Sequence, residues 1–62
     1  MNNNEALTAR ILQWIENARR NINSIQNELR DADPVNPATL AARMNEHYTR
    51  IEAWQQVLQV MR

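Results

Sequence analysis

Two stretches of this sequence repeat one spacing of apolar residues, and that spacing constrains the fold more than any other feature. Starting at Leu7, the positions Ile11, Ile15, Ala18, Ile22, Ile25, Leu29 and Ala32 follow at steps of 4, 4, 3, 4, 3, 4 and 3. Starting at Leu40, the positions Met44, His47, Ile51, Trp54, Leu58 and Met61 follow at 4, 3, 4, 3, 4 and 3. Alternating steps of three and four hold side chains on one stripe of a helix, the seam of coiled-coil-like packing.

Between the two seams lies "RDADPVNPATL", residues 30–40, which holds both prolines of a chain with no glycine. Pro34 disfavours a helical Asp33. Asn36 is a good N-cap, and Pro37 suits the first helical position, where a missing N–H costs nothing. The pattern predicts one domain over residues 1–62: a helix at about 5–32, a turn at about 33–36 and a helix at about 37–61. Asn3 or Asn4 is placed to cap the first helix, with Glu5 favourable in its first turn. Glu16–Arg20 and Glu46–Arg50 are expected i,i+4 ion pairs.

A turn this short forces the helices to lie side by side and antiparallel. Antiparallel contacts join positions of constant sum, and a sum of 69 matches the seams end to end: Leu29–Leu40, Ile25–Met44, Ile22–His47, Ala18–Ile51, Ile15–Trp54 and Ile11–Leu58. The expected fold class is all-α, an antiparallel two-helix hairpin, completed by self-association or by a partner protein.

Completion is needed because the chain has 62 residues. Below roughly 70–80 residues a single core rarely supplies more than ~3–5 kcal/mol, and disulfides, a metal or a partner add the rest. There is no cysteine, and one histidine cannot build a zinc site unaided. No metal or cofactor is therefore expected, which leaves a protein partner or a second copy. Seven arginines balance seven acids. A neutral chain lacks the electrostatic footprint of a general nucleic-acid binder. No apolar run approaches a membrane span, and "MNNNEALTAR" does not read as a signal peptide. The expected location is cytoplasmic; export without a cleaved signal stays compatible.

The apolar set is wider than two seams require. Leu7, Leu12 and Trp14 flank the first seam at the open end, and Val57 and Val60 flank the second beside Trp54 and Met61. Ala41 and Tyr48 flank it near the middle. Large exposed apolar patches mark contact sites, so Leu7, Leu12, Trp14, Tyr48, Trp54, Val57, Val60 and Met61 are the candidate partner-binding residues. Near the turn the flanks are polar. His47, opposite Ile22, is expected to be partly buried and bonded to a neighbour such as Ser24 or Asn45. The sequence leaves open whether an imidazole there makes assembly pH-sensitive. Ser24 is the only serine and no acid is placed to complete a triad, so no enzyme activity or small-molecule substrate is expected. Arg19, Arg20, Arg43 and Arg50 are expected on the outer faces. Nine asparagines are many for helices, which they favour weakly, so helix stability should depend on packing.

"DPVNPATLAARMNEHY" resembles the turn and second-helix start of needle subunits of bacterial type III secretion systems, through Pro34, Asn36, Pro37, Leu40 and Tyr48. "YTRIEAWQQVLQVM" is similar to the second helix of the small hairpin co-chaperones that hold those subunits before export, through Tyr48, Glu52, Ala53, Val57, Leu58, Val60 and Met61. The length suits the co-chaperones, since the second helix of needle subunits extends further. What the resemblance implies is a hairpin that covers an apolar surface of its partner and prevents premature polymerisation.

The expected function is therefore non-enzymatic protein binding, chaperone-like or as an assembly partner covering an apolar helix. The alternatives are a homodimeric four-helix-bundle regulator, touching RNA through its arginines, and a structural subunit of a filament.

Overall fold

The computed structural model describes residues 3–31, 33 and 36–61. It is two helices, α1 over Asn3–Leu29 and α2 over Pro37–Val60, packed on each other along their length. The hairpin measures 51 × 15 × 11 Å between its outermost Cα atoms. The all-α hairpin expected from the two seams is the observed fold.

Burial follows the seams. Ile11, Ile15, Ala18, Ile22 and Ile25 of α1 are buried, as are Leu40 and Ile51 of α2. Met44, Trp54, Leu58 and Met61 are partly buried and pack against the cluster of Ile11, Ile15, Ala18, Ile22 and Ile51. Each buried isoleucine contributes about 1.5–3 kcal/mol relative to full exposure. Leu7, the first seam position, is the exception at 43% exposed.

The ends of the helices depart from expectation. α1 begins at Asn3 and not Glu5, so Asn3 and Asn4 lie inside the helix and do not precede it as caps. Glu5 does occupy the first turn. α1 ends at Leu29 and does not run to residue 32. The Arg30 N–H is shared between the carbonyls of Gln26 (3.1 Å) and Asn27 (3.3 Å), and the Asp31 N–H donates to Glu28 (3.2 Å). The last turn thus tightens and satisfies its otherwise free carbonyls. Glu28, Asp31 and Asp33 also gather at the negative pole of the helix dipole, which disfavours extension. Ala32 and Pro34 lie outside the described residues.

Asn36 holds the predicted position before α2 but not the predicted role. Its backbone is left-handed, at φ 51° and ψ 61°, and its side chain makes no capping hydrogen bond. Its carbonyl accepts the first helical bond, from the Leu40 N–H at 3.1 Å. Asparagine is one of the few residues that enter this region at low cost. Pro37 follows at the start of α2 as expected.

Candidate interaction surface

α1 is strongly amphipathic, whereas the apolar side chains of α2 are spread around the helix. Such a distribution cannot be covered by one neighbour. The result is a set of exposed large apolar residues: Leu7, Leu12, Trp14, Tyr48, Val57 and Val60. Val60, at 85%, is almost fully in solvent. These six are candidates from the sequence; the other two, Trp54 and Met61, are half-buried against the core.

The structure brings some of the eight together and separates others. Trp14 and Trp54 meet across the seam, their ring centroids 5.9 Å apart and their planes tilted by 43°. That distance is within the range of favourable aromatic pairs. Val57, Val60 and Met61 share a shallow apolar patch with Ala53 and Gln56. Met61 also touches a second depression, with Leu12 and Thr8. At 100° per residue, Leu12 and Tyr48 fall on the flank of the seam opposite the tryptophans. Leu7, seven residues before Trp14, lies on the tryptophan flank.

On that flank an open groove runs between the helices. Its first part is lined by Trp14, Asn17, Asn21, His47, Arg50 and Trp54. Asn21 and His47 continue into a second part with Ser24, Glu28 and Arg43. Arg43 and Arg50 are exposed, as the sequence suggested, and they also line this open interhelical groove. Their spacing of seven was the available signal, since it matches that of His47 and Trp54. Sequence reasoning also missed the Trp14–Trp54 contact, which depends on how far two flanking rings reach across the seam.

Among the described residues, the expected partners of His47 do not appear. It is half-buried, with no hydrogen bond to Ser24 or Asn45. The Asn45 carbonyl instead accepts the Thr49 hydroxyl at 3.0 Å. Glu16 pairs with Arg20 at 3.5 Å, on an exposed surface where such a pair is worth little. Glu46 and Arg50 do not close to 4.0 Å; Arg50 lines the groove. No group of three or more metal-ligating side chains occurs among the described residues. Among the described residues, no helix is long and apolar enough to cross a membrane.

No family model matches the sequence, and no curated protein or solved structure matches the chain.

Proposed function

We propose that the chain is a non-enzymatic, protein-binding hairpin that covers an apolar helix of another protein. The observation that carries this reading is the set of large apolar side chains left exposed toward the open end, Leu7, Leu12 and Trp14 of α1 and Val57 and Val60 of α2, with Trp14 set against Trp54. Tryptophans packed at the rim of an apolar surface are frequent hot spots of association. The polar turn end, with Glu28, Asp31 and Asp33, contributes solubility while the open end binds. The resemblance to needle-subunit co-chaperones makes a bacterial type III secretion needle subunit, held in the cytoplasm before export, the first partner to try. The hairpin would act by occupying the apolar surface through which such subunits polymerise.

The test is polymerisation of a needle-type subunit followed by light scattering. An equimolar amount of the hairpin should hold the subunit in a discrete complex and stop growth. Val57→Asp should restore growth without loss of helical circular dichroism, and Arg19→Ala should leave inhibition intact. Growth unaffected by the native hairpin would remove the needle assignment.

A second reading is a homodimeric four-helix bundle acting as a regulator. It is favoured by the apolar patch of Ala53, Val57 and Val60 on α2, which a second copy could cover.

A further inference from the structure

The groove on the tryptophan flank changes character along its length, and the change describes its occupant. At the open end its walls are Trp14 and Trp54. About three to four helical turns away, at the turn end, they are Arg43, Ser24 and Glu28. In between stand Arg50 and a row of neutral hydrogen-bonding side chains. The groove has thus an apolar end and a polar end, roughly 15–20 Å apart at 1.5 Å per residue. A third helix packed between two others is the occupant such an interhelical groove fits.

Charge narrows the occupant further. Arg43 and Arg50 lie on one lip, seven residues or about 10 Å apart along α2. Among the described residues neither has a carboxylate within 4.0 Å. Glu28 is the single acid lining the groove, so its net charge is positive. A second copy of this chain would complement it poorly. The acids of the chain are Glu5, Glu16, Glu28, Asp31, Asp33, Glu46 and Glu52, and no two of them stand seven apart.

We propose that this groove receives one amphipathic helix of a different protein, with apolar residues against Trp14 and Trp54 and two carboxylates seven residues apart against Arg43 and Arg50. The inference rests on the protein-binding reading above and adds the chemistry and orientation of the partner. Two surface charge pairs contribute modestly each, so their role is selection among helices more than raw affinity.

Both tryptophans line the groove, so their fluorescence reports its occupancy. The probes are two synthetic amphipathic peptides of about three heptads, alike in their leucine seam. One carries glutamates seven apart beside the seam, and the other carries lysines at the same places. At low ionic strength the glutamate peptide should bind about tenfold more tightly than the lysine peptide. The double variant Arg43→Gln, Arg50→Gln should reduce that preference to within about twofold, with helical content unchanged. Trp14→Ala should weaken both peptides. Equal binding of the two peptides by the native chain overturns the charge assignment and leaves the protein-binding reading standing. Failure of both to bind a folded hairpin overturns the proposal and that reading together. A larger spectral shift with oligouridylate than with either peptide overturns it in favour of single-stranded nucleic acid, which also stacks on aromatic rings beside arginines.

Discussion

At the scale of single residues, the hairpin separates positions that hold it together from positions that face outward. Ile51 is buried among the isoleucines of α1. Ile51→Ala should cost ~2–5 kcal/mol, through lost burial and a residual cavity. In a chain this small that removes most of the stability, and thermal melts followed by circular dichroism should show a broad, low transition. Val60, by contrast, touches little. Val60→Asp should leave the melt nearly unchanged, within about 0.5 kcal/mol, while weakening association. Leu58 lies on the same helix but packs against the core, so a charge there would report on folding and not on binding. Asn36 tests the backbone. Its left-handed conformation is open to glycine and penalised for residues with a larger Cβ. Asn36→Gly should be neutral or slightly stabilising, and Asn36→Val should cost about 1–2 kcal/mol in the same melts.

At the scale of the helices, neither element is expected to persist alone. α1 holds asparagines at 3, 4, 17, 21, 23 and 27, each a weak helix former, and its isoleucines are β-branched. Its stability therefore comes from packing its apolar stripe on α2. A peptide of residues 1–31 at micromolar concentration should show little helical circular dichroism, and adding residues 33–62 should raise it. A strongly helical isolated peptide would show that packing is not the source. The same logic explains what was legible in the sequence. Ile11 to Leu29 and Leu40 to Met61 could be placed on one seam because burial there follows helical period alone. The end of α1 was not legible to the residue, because it depends on acids at its negative pole and on how the last carbonyls are satisfied. Asn36 was legible as the residue that precedes α2, but its left-handed backbone and missing side-chain cap were not, because asparagine serves both roles and only the backbone angle distinguishes them. For the surface, exposure of Leu12, Trp14 and Val60 was legible from their places off the seam. The joining of Trp14 to Trp54, and the place of Arg43 and Arg50 along the groove, depend on how the two helices sit together.

At the scale of the whole molecule, two long helices bury one stripe each and leave the open end apolar. The proposed third helix from another protein would cover the tryptophan flank; in the alternative, a second hairpin would cover the patch of Ala53, Val57 and Val60. The difference lies in what the chain does by itself. The most direct measurement is absolute mass by size exclusion with light scattering, on the purified chain across a dilution series. The expected result is a mass near the 7.3 kDa of a single chain at low micromolar concentration, with weak growth at higher concentration. A stable particle of twice 7.3 kDa that persists on dilution and melts cooperatively would contradict this, and would give the apolar face to a second copy.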